Sequence, residues 1–186
     1  MHFPITQWCR QWPYLLALLL ILTPMLLMDA LAAEPLSARD RNYLKDIARI
    51  NILQTEACKL AAFKSSNENI LDFAREMLTE QMQIAEQLRQ LAQDKQTKLP
   101  DEPSLWQKAK FRHLSAKSGE VFDQRYAKAI GIKMQEEIVK LLGKAISRAD
   151  NPEIKTFARQ YLPLFESRLE TAKALYAIIE ATDEMD

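Results

Sequence analysis

The chain has 186 residues, enough for one domain, and its 25 basic and 25 acidic side chains give a formal net charge of zero. This balance argues against nucleic acid as a partner, because a surface that follows a phosphate backbone needs a basic excess. Only 3 glycines occur, while Ala, Leu, Lys, Glu and Gln are abundant. Such a composition is typical of a helix-rich protein.

Residues 1–32 have the layout of a secretory signal peptide. A short segment containing Arg10 precedes the apolar run YLLALLLILTPMLLM, and a small-residue pattern follows that ends at Ala32. We therefore predict cleavage after Ala32 and a periplasmic or secreted mature protein. The alternative is an inner-membrane anchor that keeps residues 13–32 in the bilayer. The apolar run is short for that role, since a spanning helix needs about 20 residues.

Hydrophobic periodicity predicts helices and no strands. The predicted long helices cover residues 37–64, 67–95, 120–147 and 152–181, and a short helix covers residues 104–116. Short connections make the first and second long helices, and the third and fourth, antiparallel hairpins. The sequence thus predicts an all-α, ferritin-like four-helix bundle over residues 33–182, with a long crossover containing the short helix between helices two and three. Residues 183–186 form an acidic tail.

The mature chain would carry a single cysteine, Cys58, because Cys9 lies within the predicted signal peptide. One thiol cannot form an intramolecular disulfide, so the domain must be held by its hydrophobic core. We interpret Cys58 as a buried or half-buried, unreactive thiol, and the alternatives are an intermolecular disulfide or a reactive thiol.

Each predicted long helix places a polar side chain on its apolar stripe. These side chains are Gln54, Gln81, Glu137 and Arg168. We predict that they form one polar layer in the core, and the alternative is that each reaches solvent from the edge of its stripe. In the second hairpin, Glu137 and Arg168 differ in height by only about one turn. We therefore predict a buried or half-buried Arg168–Glu137 ion pair, with Gln81 or Gln54 satisfying the remaining donors.

Three segments carry a resemblance to a known family: KLAAFKSSNENILDFAREML, LSAKSGEVFDQRY and NPEIKTFARQYLP. The chain resembles the bacterial family known as domain of unknown function 4142, over about residues 39–176. The resemblance implies a ferritin-like fold behind an export signal, and it implies no established activity.

The resemblance also implies a set of site positions. The family usually has a histidine on each of helices two, three and four, and acidic residues on helix one, as in di-metal ferritin-like sites. The histidine positions here are Gln81, Met134 and Arg168, and Glu56 stands at an acidic position. Glutamine is a poor transition-metal ligand and arginine does not lose its charge. We therefore expect no cofactor.

The leading hypothesis is an exported, non-catalytic helical-bundle protein with a role in binding or in the envelope. The alternative is a metal-binding ferritin-like protein that uses Glu56, Glu80 and Glu137. The sequence favours a non-enzyme over an enzyme, because the single mature histidine, His113, has no second His or Cys at metal-ligand spacing and no nucleophile motif occurs. The alternative is a Ser–His or Cys58–His113 pair, which no spacing supports. A homo-oligomer is compatible with this sequence.

Overall fold

The computed structural model describes residues 35–183, so the predicted signal peptide lies outside the described residues. The elements are α1 (Ala38–Lys64), α2 (Glu68–Asp94), α3 (Leu105–Ser115), α4 (Gly119–Tyr126), a π-helical segment (Ala127–Lys133), α5 (Met134–Arg148) and α6 (Pro152–Asp183). Within this part of the chain there is no strand, and the predicted all-α class is confirmed. None of these helices is both long and apolar enough to cross a membrane.

Short polar side chains cap the N-termini of α1, α2 and α3 close to the helix starts that the sequence predicts. Ser37 accepts a hydrogen bond at the start of α1, and Asn67 accepts two at the start of α2. Ser104 and Gln107 form a reciprocal capping box at the start of α3. These bonds satisfy backbone N–H groups that have no partner within a helix, which explains why the predicted starts agree with the structure to within one residue.

Helices adjacent in sequence pack against each other. Helix α1 lies along α2, while α5 and the π-helical segment lie along α6. Helix α3 contacts α1 and α4. Apolar side chains from all of these elements form a continuous buried core, to which the largest contributors include Phe122, Tyr126, Leu44, Ile47, Ile70 and Met77.

The π-helical segment changes which residues of α5 face the core. A π-helix holds more residues per turn than an α-helix, so it shifts the residues that follow around the helix axis. Buried positions of α5 are Met134, Gln135, Ile138, Leu142 and Ala145. Glu137, predicted to face inward, is exposed.

Gly131 lets the π-helical segment approach α6 closely. A Cβ atom at Gly131 would lie 3.0 Å from the Cβ of Ala172. This contact is tighter than two methyl groups normally adopt, so the approach depends on glycine at this position.

Asp40 ties the start of α1 to the loop between α5 and α6. Its side chain is buried, and its two carboxylate oxygens accept hydrogen bonds from the backbone N–H of Asp150 at 3.0 Å and of Asn151 at 2.8 Å. Asn151 in turn accepts bonds from the backbone N–H groups of Glu153 and Ile154. The second hairpin is therefore anchored to the first at its loop.

Candidate functional site

Three amide side chains form a buried network between α1 and α2. The Asn51 side chain donates to the backbone carbonyl of Gln81 at 3.0 Å and to its side-chain oxygen. Gln81 donates from Nε2 to Oε1 of Gln54 at 2.6 Å. Gln54 and Gln81 are both fully buried, and Nε2 of Gln54 has no partner within the described part of the chain. The inward amide of Gln81 thus links two helices by hydrogen bonds.

Asn51 was missed by sequence reasoning, although a signal was present. Asn51, Gln54 and Cys58 follow one another at spacings of three and four, which places them on one face of a helix. Gln135 was missed as well, because its inward position depends on the π-helical segment. Its Nε2 donates to the Ile130 carbonyl at 3.3 Å, and its Oε1 has no partner.

Arg168 is buried and forms an ion pair with Glu80. One terminal nitrogen of the guanidinium donates to the Glu80 carboxylate, while Nε and Nη1 have no partner among residues 35–183. The guanidinium carbon lies 4.9 Å from the centre of the Phe165 ring. The Arg168 side chain is 5% exposed and the Glu80 side chain 33% exposed, so the arginine carries the larger desolvation cost.

The predicted Arg168–Glu137 ion pair is wrong. Arg168 uses Glu80 instead, and Glu137 lies on the exposed face of α5. The prediction assumed a regular α-helix between residues 119 and 148, and the π-helical segment breaks that assumption. The buried polar side chains of the long helices therefore include Gln54, Gln81 and Arg168 but not Glu137.

The residues of the alternative metal site are not brought together. Glu56 is exposed and pairs with Lys59 at 2.8 Å, Glu80 pairs with Arg168, and Glu137 is exposed. Among residues 35–183, no three His, Cys, Asp or Glu side chains converge as metal ligands would. Met134, at a family histidine position, is buried in the core. The geometry of these residues gives the metal-binding alternative no support.

Cys58 and Tyr126 are in contact in the core. The Tyr126 hydroxyl lies 4.0 Å from the Cys58 sulfur, and both side chains are buried. Burial raises the pKa of Cys58 to about 11, although the hydrogen bond from Tyr126 and the positive charge of Arg168 oppose the shift. Burial also raises the pKa of Tyr126 well above its ordinary value. The thiol is therefore protonated at neutral pH and is a poor nucleophile.

A groove of about 460 Å³ opens between α3 and the run from α4 to α5. Its walls are mainly apolar, and α1 contributes Leu53 to them. The other apolar lining residues are Trp106, Ala109, Phe111, Leu114, Ala129, Ile130 and Met134. A cavity of this size and character is of the kind that holds small molecules.

The charged residues that line this groove are mostly basic. Lys110, Arg125 and Lys133 line it, whereas Glu137 is its one carboxylate. The Lys110 ammonium lies 5.3 Å from the centre of the Trp106 ring. His113, the one histidine among the described residues, is exposed and also lines the groove. The groove thus combines an apolar wall with an excess of positive charge.

Residues 27–175 match the family model described as domain of unknown function (DUF4142). The chain belongs to this family. The family description assigns no activity, and no curated protein matches the chain.

The DUF4142 domain is also similar to a solved structure. A crystal structure of a DUF305 fragment from Deinococcus radiodurans superposes with a TM-score of 0.68 at 12% identity. The match covers 77% of this chain and 98% of the fragment. At that identity the likeness shows a shared helical fold and nothing about the ligand.

Proposed function

We propose that this chain is an exported, non-catalytic binding protein that holds an apolar ligand with an anionic group. The groove beside α3 carries this proposal. Its volume of about 460 Å³ lies within the range of about 300–1,000 Å³ typical of ligand pockets. Lys110, Arg125 and Lys133 would face the anionic group, and the apolar wall would contact the rest of the ligand.

Two features favour binding over catalysis. The buried amides of Asn51, Gln54 and Gln81 hydrogen-bond to one another between α1 and α2, and the buried Arg168 pairs with Glu80, so these groups serve to hold helices together. The buried thiol of Cys58 has a pKa raised to about 11, so it would not act as a nucleophile at neutral pH. A general base with a suitable pKa beside a nucleophile is the arrangement that catalysis would need.

We further propose that the long helices form a ferritin-like four-helix bundle, in which α3 belongs to a crossover between α2 and α4. The pairing of α1 with α2 and of α5 with α6 supports this arrangement. Export is proposed from the signal-like layout of residues 1–32. N-terminal sequencing of the exported protein should begin near Ala33, and recovery of the intact chain in the membrane would favour the anchored alternative.

The groove is tested with a fluorescent fatty acid, dansyl-undecanoic acid, as the probe. The Ala129→Trp variant should fill the groove and weaken probe binding by at least about tenfold, since a ring would occupy the ligand's space. Ala85→Trp, at an exposed position on α2, is the matched control and should bind like the wild type. Circular dichroism checks that both variants are folded. Failure of the folded wild type to bind the probe would contradict the proposal.

The charge preference is tested separately. Arg125→Gln with Lys133→Gln should weaken binding of the carboxylate probe several-fold, and should leave binding of its uncharged methyl ester unchanged. Arg75→Gln with Lys173→Gln removes two exposed cations elsewhere and is the control. Equal losses for the acid and the ester would show that the basic residues do not recognise the anionic group.

A further inference from the structure

Helix α3 begins with two adjacent apolar side chains that face solvent. Leu105 is 83% exposed and Trp106 is 69% exposed. Both belong to the first turn of an 11-residue helix that contacts only part of the rest of the domain. Large apolar side chains exposed side by side are a common mark of an interaction site.

Helix α3 and the turn that follows it carry a local excess of positive charge. Between Ser104 and Gly119 the chain has four cationic side chains and no acidic one, although the whole chain has a net charge of zero. These four are Lys108, Lys110, Arg112 and Lys117. Arg112 and Lys110 are exposed. The excess therefore lies on the part of the molecule that exposes Leu105 and Trp106.

Neighbouring carboxylates reduce this excess only in part. Glu102 pairs with Lys108 at 2.5 Å. Glu56 lines a neighbouring cleft with Lys108 and Arg112, but its carboxylate pairs with Lys59 on its own helix. Three of the four cations thus have no ion pair within residues 35–183.

We propose that α3 docks the protein on an anionic lipid bilayer. Tryptophan and leucine next to Lys and Arg side chains are typical of helices that lie in the bilayer interface: the apolar side chains enter the headgroup region and the cations contact anionic lipids. An acidic protein could satisfy the charges, but α3 presents its exposed apolar side chains at one end and has no long apolar stripe for a partner helix. The surface goes beyond the ligand groove, because Leu105, Lys108 and Arg112 do not line it.

Trp106 itself provides the measurement. The chain contains 3 tryptophans, and replacing Trp8 and Trp12 by Phe leaves Trp106 as the sole tryptophan, which is excited at a wavelength where tyrosine does not absorb. Vesicles of phosphatidylcholine and brominated phosphatidylglycerol should shift its emission to the blue and quench it. Vesicles of brominated phosphatidylcholine alone should not, and salt at about 1 M should abolish the effect because it screens the cations. This readout reports on α3 whether or not residues 1–32 are retained.

Two variants test the surface residues. Leu105→Ser, and the double variant Lys108→Gln with Arg112→Gln, should each raise by at least about tenfold the lipid concentration needed for half-maximal quenching of Trp106. Neither variant changes the ligand groove, so binding of the fatty-acid probe should persist. Unchanged vesicle binding in both variants would overturn the docking proposal. Failure of the wild type to bind the fatty-acid probe, with vesicle binding intact, would instead count against the proposed function alone.

Matched controls remove the same groups from other surfaces. Met82 on α2 is 66% exposed, and Met82→Ser should bind vesicles like the wild type. Arg75→Gln with Lys173→Gln removes the same charge from α2 and α6 and should do likewise. Equal losses in these controls would overturn the proposal. Equal quenching by neutral and anionic vesicles would also overturn it. If lipid leaves the emission of Trp106 unchanged and self-association of the protein shifts it, this surface contacts a second copy of the chain and the proposal is wrong.

Discussion

The guanidinium of Arg168 on α6 donates to the carboxylate of Glu80 on α2, and the arginine is the more buried partner. Two nitrogens of the Arg168 guanidinium have no partner among the described residues. Within this part of the chain, the carboxylate of Glu80 alone compensates the charge of Arg168. The Glu80 carboxylate is partly solvated, so it is less destabilised than Arg168 when its partner is removed. Removing either partner should therefore have unequal effects.

We expect Glu80→Ala to lower the free energy of unfolding by about 3 kcal/mol, because it leaves a buried charge without its partner. Arg168→Met should cost clearly less, since it removes two unpartnered buried donors together with the charge. Urea unfolding of both single variants and the double variant measures the coupling. Glu170→Ala, which breaks an exposed pair with Lys173, is the control and should leave the midpoint unchanged. A larger loss for Arg168→Met than for Glu80→Ala would contradict this account.

Sequence periodicity was informative where the helices are regular. It placed Gln54, Gln81 and Arg168 on inward faces of α1, α2 and α6, and all three are buried. It was wrong about Glu137, because a π-helical segment shifts α5 around its axis and no local signal marks such a segment. Arg168 was consequently assigned the wrong partner.

The groove beside α3 could not be predicted from the sequence. Its walls come from residues far apart in the chain, such as Leu53 on α1 and Met134 on α5, and their separation depends on how α3 packs. Helix starts were predicted well because Ser37, Asn67 and Ser104 act locally. Helix starts were predictable and the groove was not because the interactions differ in range. A helix cap depends on residues within one turn, whereas a cavity depends on the tertiary packing of distant segments.

Asp40→Asn should destabilise the protein by about 1–3 kcal/mol. An amide keeps one acceptor oxygen, but its NH₂ group would face a backbone N–H of Asp150 or Asn151, which would lose its buried partner. Thermal unfolding measures the loss, and faster hydrogen exchange at these two amides would localise it. Asp46→Asn, at an exposed position on α1, is the control. Unchanged exchange at both amides would show that the anchor is not needed.

Alanine should have opposite effects at two glycines of the same helical run. Gly143 is exposed and a Cβ there would meet nothing within 4 Å, so Gly143→Ala should stabilise by about 1 kcal/mol through helix propensity. Gly131→Ala should destabilise by about 1–3 kcal/mol, because its methyl group would be forced against Ala172. Urea unfolding measures both. Adding Ala172→Gly to Gly131→Ala should recover part of the loss, and absence of any recovery would contradict the steric explanation.

The buried thiol of Cys58 predicts a pH dependence of stability. Burial raises its pKa from the ordinary value of 9.0 to about 11, so the thiolate forms more readily in the unfolded chain. The unfolded state therefore binds fewer protons than the native state between these values, and stability falls as the pH rises through that window. Below about pH 9 the contribution is fully present. The difference in unfolding free energy between the wild type and Cys58→Ala should accordingly narrow between about pH 9 and pH 11.

Thiol labelling checks the same prediction in a second way. In a Cys9→Ser background, Cys58 should react slowly with Ellman's reagent at about pH 8, because it is 1% exposed and protonated. Ser66→Cys places a thiol at an exposed position of the α1–α2 connection and should react quickly under the same conditions. Urea at the unfolding midpoint should bring the two rates together, since unfolding removes both the burial and the pKa shift. Fast labelling of folded Cys58 would mean that this thiol is accessible and ionised, and the interpretation of Cys58 as an unreactive core residue would then be wrong.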